Sequence, residues 1–240
     1  MMQNEAEGRA WDGYDVYLFD IDGTLLQCTD AVHYFAFCDA LGLIAGRPLN
    51  LDGVTAHGNV DVGILRDALL LAGVEDERWR PRLDVWRQRM CGFVEEQKSD
   101  LRITVLPGVV EMLEHLRRKG ALLGVATGNL EGIGRLKLAH CGLLESFAFG
   151  GYSDAYEYRR DVFAGALAKT RELAGAEAKV CLMGDTPEDV KAARANGLAV
   201  IAVATGIYSF EELRAEAPDW CVQSMGELLE SVAVPTAGKS

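Results

Sequence analysis

Two aspartates separated by one residue, Asp20 and Asp22, directly follow the apolar run Val16–Phe19 and begin the sequence Asp-Ile-Asp-Gly-Thr. If the extended backbone continues past the run, alternate side chains point to the same side, so the two carboxylates share one space. Neighbouring carboxylates need a cation to stay ionised, or one of them holds a proton. A divalent cation that prefers oxygen ligands is the simplest partner. A plain turn is the competing interpretation, because Asp and Gly are common in turns.

Two further polar segments follow apolar runs later in the chain. The first is Thr127-Gly128-Asn129, in which a hydroxyl and backbone N–H groups at a strand-to-helix junction suit a phosphate oxygen. The second begins at Asp185, within the sequence Gly-Asp-Thr-Pro-Glu-Asp. Capping of the following helix is the competing interpretation for both segments.

Apolar runs typical of buried parallel strands recur along the chain and alternate with helical patterns. The runs are Val16–Phe19, Leu122–Ala126, Val180–Gly184 and Ala199–Val203, with a weaker one at 147–149. Such alternation predicts an α/β fold with a doubly wound, Rossmann-like parallel sheet. Ligands of these sheets bind at the carboxyl ends of the strands near the point where strand order reverses. We therefore expect the three polar segments to converge there.

The stretch between Leu26 and Leu106 has a different pattern, because it shows no convincing strand. Helical patterns fill it at about 30–43, 61–71 and 78–96. A helical insertion of this length after the first strand predicts a separate small domain. The predicted division is a core of 1–26 and 106–234, a helical domain of 27–105 and a tail of 235–240.

The ordered motifs DxDGT, TGN and GDTPxD resemble those of the haloacid dehalogenase superfamily, specifically of its phosphatase branch. The helical insertion is similar to the small cap domain of phosphoglycolate-phosphatase-like members, and the resemblance extends from about Asp15 to Ser231. It implies an enzyme that uses Mg²⁺ and hydrolyses a small phosphorylated metabolite, a phosphate monoester, through an aspartyl-phosphate.

The resemblance also implies a role for each matching residue. Asp20 would be the nucleophile, and Asp22 would protonate the leaving group and then deprotonate the attacking water. Asp20, the main-chain carbonyl of Asp22, and Asp185 would hold Mg²⁺, and Asp189 would orient this metal shell from behind. The phosphoryl oxygens would be bound by Thr127, Gly128 and Asn129.

One family feature is absent from the sequence, namely a lysine in a Lys-Pro pair before the helix that precedes the fourth strand. Asp161 can cap a helix that begins at Val162, and counting back from it by the usual spacing reaches Glu157, whose charge has the wrong sign. Arg159 or Arg160 is the candidate substitute cation, and Arg159 is favoured as the nearer. Solvent exposure of both arginines is the competing interpretation.

Composition restricts the partners of the 240-residue chain. It has 24 Lys and Arg against 36 Asp and Glu, a formal net charge of −12, which predicts that it binds neither nucleic acid nor membrane. The six cysteines are scattered without zinc-ligand spacing, as expected in a reducing compartment. With no signal-peptide pattern and no long apolar run, the predicted location is the cytoplasm. The sequence does not indicate the oligomeric state.

Three other functions share parts of this pattern. A dehalogenase needs neither a metal pair nor a leaving-group acid, so the presence of Asp22 and Asp185 disfavours it. A phosphomutase shares the same core motifs and stays open as an alternative. A non-catalytic, receiver-like phospho-acceptor also phosphorylates an aspartate, but such domains lack an inserted cap. The identity of the phosphate ester is likewise left open.

Overall fold

Parallel strands dominate the computed structural model of this protein, which describes residues 10–233. The predicted tail at 235–240 and the first nine residues of the predicted core lie outside the described residues. Within residues 10–233 the strands are β1 (Val16–Phe19), β2 (Leu26–Cys28), β3 (Ile103–Val105), β4 (Leu122–Ala126), β5 (Phe149–Gly151), β6 (Val180–Gly184), β7 (Ala199–Val203) and β8 (Trp220–Val222).

Helices connect most of these strands. They are α1 (Val32–Ala45), α2 (Asp61–Leu71), α3 (Asp76–Trp79), α4 (Leu83–Glu96), α5 (Val109–Arg118), α6 (Glu131–His140), α7 (Arg159–Ala174), α8 (Pro187–Ala195), α9 (Phe210–Ala215) and α10 (Met225–Ala233). Among the described residues, no helix combines the length and the apolar character that crossing a membrane requires.

The main sheet has the strand order β5-β4-β1-β6-β7-β8, and every neighbouring pair is parallel. Val16 of β1 lies opposite Leu122 of β4 on one side and Val180 of β6 on the other. The predicted doubly wound parallel sheet is therefore confirmed. Because β1 separates β4 from β6, the carboxyl ends of these three strands meet at the point where the strand order reverses.

Both faces of the sheet are covered, as expected for an all-parallel sheet. Alternate residues of β1 point to opposite faces. Tyr17 and Phe19 share one apolar layer with Met112 of α5, whereas Leu18 shares the other layer with Phe163 of α7. This two-sided burial explains why β1 reads as an uninterrupted apolar run.

The weaker strand expected at 147–149 lies two residues later, at β5. The Phe147 ring packs edge-on against the Phe19 ring, with 5.9 Å between the ring centres. Phe147 is therefore apolar because it packs in the core, and it is not part of a strand. The three-residue strand β8 was not predicted, since so short a run gives no clear periodicity.

The region between Leu26 and Leu106 is mostly helical, as expected, but the prediction that it holds no strand was wrong. The strands β2 and β3 pair with each other in an antiparallel ribbon outside the main sheet. The helix predicted at 61–71 is confirmed as α2. The helix predicted at 78–96 is broken into α3 and α4 by a 3₁₀ turn that contains Pro81.

Candidate active site

The chain turns sharply after β1, and this turn carries Asp20 and Asp22. The N–H of Asp20 still donates to the Met183 carbonyl at 3.0 Å, which anchors the turn to β6. Gly23 then adopts a φ of +82°, in the left-handed region that favours glycine. A Cβ atom at Gly23 would lie 2.2 Å from Oδ2 of Asp185. The glycine of the motif is therefore required for the close approach of the two acidic segments.

Three buried carboxylates, those of Asp20, Asp185 and Asp189, meet at the ends of β1 and β6, each with an oxygen within 4.8 Å of the others. Burial raises the pKa of Asp20 to about 6, against the opposing charge of Arg159, and the negative charges of Asp189 and Asp22 add to the rise. Burial and the charge of Asp20 raise the pKa of Asp185 well above its usual value. A divalent cation between the carboxylates would oppose both shifts, because its positive charge favours the ionised carboxylates.

The carboxylate of Asp189 is already engaged within the protein. Its Oδ2 accepts hydrogen bonds from the N–H and the hydroxyl of Thr186, at 3.0 and 2.7 Å, in a capping box that begins α8. Its Oδ1 accepts one from Nε of Arg159 at 2.7 Å. Asp185, in contrast, accepts the Thr24 hydroxyl on Oδ1 at 3.0 Å. Asp20 and Asp185 are therefore better placed than Asp189 to bind a cation directly.

Arg159 places a buried cation next to Asp20. Its side chain is 7% exposed, and its Nη2 lies 3.0 Å from Oδ2 of Asp20 and 2.7 Å from Oδ1 of Asp189. A buried guanidinium between two carboxylates is held in a fixed direction by its planar set of N–H groups. Arg159 could therefore present a positive charge to an anion that approaches Asp20.

The start of α7 differs from the sequence-based expectation. The helix begins at Arg159, with Tyr158 at the N-cap, so the prediction that Asp161 caps a helix beginning at Val162 was wrong. The Asp161 carboxylate instead accepts a 3.4 Å hydrogen bond from Nε of Arg160 at the surface. The Arg160 side chain is 66% exposed. The geometry favours Arg159 over Arg160 as the substitute cation, and this assignment stays a prediction.

The Thr127-Gly128-Asn129 segment follows β4 and is buried beside the turn that carries Asp22. The Asn129 side-chain amide donates to the Thr127 hydroxyl at 2.9 Å and to Oδ2 of Asp22 at 2.8 Å. The carbonyl of Gly128 accepts the N–H of Asp61, the first residue of α2, at 2.8 Å. The Asn129 side chain is thus committed to Asp22, while the phosphate-binding role of the segment stays a prediction.

Lys137 of α6 also reaches the site, although the sequence-based predictions did not include it. Its Nζ lies 2.9 and 2.7 Å from the two carboxylate oxygens of Asp22. Burial alone would raise the pKa of Asp22, but the charge and hydrogen bonds of Lys137, with the hydrogen bond from Asn129, hold it well below its usual value. The available sequence signal was a lysine on the buried helix face that carries Ile133 and Leu138.

Comparisons with known proteins agree with this geometry. A family model described as haloacid dehalogenase-like hydrolase matches residues 14–197. The "Probable phosphatase IndB" of Dickeya dadantii is 27% identical over 88% of this chain and 90% of its own length. A phosphoglycolate phosphatase of Synechococcus elongatus is 29% identical over 64% of this chain and 72% of its own. A solved hydrolase structure from Pseudomonas syringae superimposes with a TM-score of 0.66 at 22% identity, covering 91% of this chain and 97% of the other.

Proposed function

Because this chain belongs to the haloacid dehalogenase-like hydrolase family, we propose that it is a Mg²⁺-dependent phosphatase acting on a small phosphate monoester through an aspartyl-phosphate at Asp20. The predicted family and the prediction of a phosphatase enzyme are confirmed by the family match and by relatives named phosphatases. The observation that carries the mechanism is the placement of Asp20 at the end of β1, between the buried cation of Arg159 and the carboxylate of Asp185.

The proposed reaction has two displacements at phosphorus. A carboxylate oxygen of Asp20 attacks the phosphorus, the bond to the ester oxygen breaks, and that oxygen takes a proton from Asp22. Because Lys137 holds the pKa of Asp22 low in the free protein, this step requires Asp22 to take up its proton together with the anionic substrate, whose negative charge favours the protonated carboxyl. Water then attacks the aspartyl-phosphate and gives a proton to Asp22, which releases inorganic phosphate and restores both carboxyl groups. Thr127, Gly128 and Arg159 bind the phosphoryl oxygens and offset their charge.

The metal site is proposed from the same residues. The carboxylates of Asp20 and Asp185 and the main-chain carbonyl of Asp22 supply oxygen ligands, which fit Mg²⁺. When bound, Mg²⁺ would neutralise charge on the phosphoryl group and on the crowded carboxylates. Asp189 supports this shell indirectly, by holding Arg159 and Thr186.

We propose that residues 27–105 act as a cap over this site. The first residue of α2, Asp61, contacts the chain directly after the proposed phosphate-binding segment 127–129. There, Oδ2 of Asp61 accepts a hydrogen bond from the N–H of Leu130 at 2.7 Å. Arg66 and Arg80 of the helical region both form ion pairs with Glu157 of the core. These contacts join the helices to the segments that follow β4 and β5, at the edge of the sheet where a closed cap would exclude water from the reaction.

The relatives named phosphoglycolate phosphatase make phosphoglycolate the first ester to test. A panel of phosphorylated metabolites, assayed for released phosphate, identifies the substrate by kcat/KM. The same assay separates the alternatives, because a phosphomutase isomerises its substrate without net phosphate release. A receiver-like phospho-acceptor takes phosphate from acetyl phosphate and does not turn over phosphate esters.

Removal of divalent metal should abolish catalysis. We expect EDTA to reduce the hydrolysis of 4-nitrophenyl phosphate to background, and excess Mg²⁺ to restore it, because the crowded carboxylates of Asp20 and Asp185 need a cation to accept an anionic substrate. The measurement is the steady-state rate before and after dialysis. Full activity in metal-free buffer would contradict the proposed metal dependence.

Gly206→Ala should weaken the metal site without removing a ligand. A Cβ atom at this position would lie 1.8 Å from Oδ2 of Asp185, so the carboxylate must move. We expect the Mg²⁺ concentration for half-maximal activity to rise about 10- to 100-fold, as found when groups that orient metal ligands are disturbed. Gly92→Ala is the matched control, since a methyl group added there would meet no neighbouring atom within 4 Å. An unchanged Mg²⁺ requirement in folded Gly206→Ala would refute the assignment of Asp185.

A further inference from the structure

Lys137 is buried at the site but does not contact the nucleophile. Only 3% of the residue is exposed, although lysine is among the residues most rarely buried. Its Nζ lies within 2.9 Å of both carboxylate oxygens of Asp22 and 2.9 Å from Oδ1 of Asn129. An ammonium group has three N–H donors, and these contacts occupy them within the protein. Lys137 therefore has no donor left for a phosphoryl oxygen.

The contacts of Lys137 continue into the helical region. Nζ lies 3.3 Å from Nδ1 of His33 on α1, and Nε2 of the same ring lies 3.3 Å from Oδ1 of Asp61 on α2. Lys137 thus lies between Asp22 and His33 of α1, and the His33 ring lies beside Asp61 of α2. A side chain held by such a network loses rotamer freedom, as catalytic groups require for precise placement.

We propose that Lys137 is a positioning residue that, with Asn129, fixes the carboxylate of Asp22 where it exchanges a proton with the leaving group and with water. The inference rests on the proposed function, in which Asp22 acts first as the acid and then as the base, and it adds Lys137 as the residue that holds Asp22 in place. Two sets of contacts support this role. Lys137 contacts both oxygens of Asp22, and Asn129 bridges the same two residues through its amide.

The test compares Lys137→Met with the wild-type chain on phenyl phosphate and 4-nitrophenyl phosphate. Phenolate is the poorer leaving group, so its departure depends more on proton transfer from a well-placed acid. We expect kcat on phenyl phosphate to fall about 10- to 100-fold, with a smaller fall on 4-nitrophenyl phosphate and little change in KM. Lys169→Met is the control, because this exposed lysine bonds the distant Gly150 carbonyl and should show no ester-dependent change.

The second arm is a double-mutant cycle with Asp22→Asn. If Lys137 acts through Asp22, then Lys137→Met causes no further loss in the Asp22→Asn background, because residues that act as a unit are not additive. Additive losses, or equal losses on both esters, would overturn the proposal and leave the proposed function intact. Absence of phosphate release by the wild-type chain in Mg²⁺ would contradict the proposed function itself, and this inference with it.

Folding of Lys137→Met is checked by thermal denaturation, because the change leaves Asp22 without its cation. The double variant with Asp22→Asn removes both charges and is expected to fold. Lys137→Arg keeps the charge and should recover part of the rate on phenyl phosphate. If Lys137→Met does not fold, Lys137→Arg provides the same comparison of esters, and a loss that is equal for the two esters then overturns the proposal.

Discussion

Asp20→Asn will remove phosphate release while leaving the chain folded. The amide cannot attack phosphorus as the carboxylate does, so the aspartyl-phosphate does not form. We expect kcat to fall on the order of 10⁶-fold, the scale seen when a covalent nucleophile is removed. Released phosphate gives the rate, and mass spectrometry of acid-quenched enzyme detects the phosphorylated peptide. Phosphate on another residue of the wild-type enzyme, with Asp20 unmodified, would reject the assignment.

The loss of activity in Asp20→Asn should not come from unfolding. The carboxylates of Asp185 and Asp189 crowd Asp20, and burial already raises its pKa to about 6. Replacing one charge of this cluster by a neutral amide of similar shape relieves repulsion between like charges. In metal-free buffer we therefore expect a thermal midpoint at or above that of the wild-type chain, measured by circular dichroism.

Asp22→Asn is the matched control for the nucleophile, because it changes the same chemical group two residues later. It keeps Asp20 but removes proton transfer, so the expected loss in kcat is smaller, about 10²–10⁴-fold. Phosphoenzyme should still form from an ester with a good leaving group. It should then persist, because the attacking water has lost its base. Rapid turnover of the phosphoenzyme in this variant would contradict the role given to Asp22.

The sheet was predictable from the sequence because its strands are buried on both faces. A strand such as β1 must then be apolar throughout, and the polar residues that follow it mark where it ends. The shift of the weaker strand to β5 has the opposite cause. Phe147 is apolar because its ring packs on Phe19. The sequence pattern alone does not distinguish an apolar residue that packs in the core from one that belongs to a strand.

The polar contacts of the site were less accessible to sequence analysis, because they depend on distances between segments far apart in the chain. Lys137 and Asp22 are 115 positions apart, and their contact exists because α6 packs beside the turn after β1. The contact of Lys137 with His33 was equally inaccessible, since histidine spacing alone contains no information about a lysine on another helix.

The position expected for the family lysine illustrates a different limit. Counting along the chain reaches Glu157, whose carboxylate the structure turns toward Arg66 and Arg80 of the helical region. The cation beside Asp20 instead comes from Arg159, because α7 begins there and its first turn faces the ends of β1 and β6. A count from Asp161 could not reveal this, since it assumed a helix start three residues too late.

Arg159→Ala will cost both activity and stability, whereas Arg160→Ala will cost little of either. The guanidinium of Arg159 is 7% exposed and joins Asp20 to Asp189, so its loss leaves two buried carboxylates without their cation. Breaking a buried ion pair in this way costs about 3–5 kcal/mol of folding free energy. The transition state also loses a positive charge near the phosphoryl oxygens, which predicts a fall in kcat/KM of about 10²–10³-fold. Arg160, 66% exposed, should change stability by less than about 0.5 kcal/mol.

The variant Arg159→Lys separates the effect of Arg159 on activity from its effect on stability. Arg159→Lys keeps the charge but cannot maintain the planar contacts with Asp189 and Asp20 together. We expect kcat/KM of Arg159→Lys to be higher than that of Arg159→Ala. The reason is that the positive charge near the phosphoryl group matters more to the rate than the hydrogen bond to Asp189. Rates on 4-nitrophenyl phosphate and chemical denaturation in Mg²⁺ measure both effects for all three variants. A larger loss of kcat/KM in Arg160→Ala than in Arg159→Ala would assign the cation to Arg160 instead. Near-normal rates in both alanine variants would mean that another residue supplies the cation.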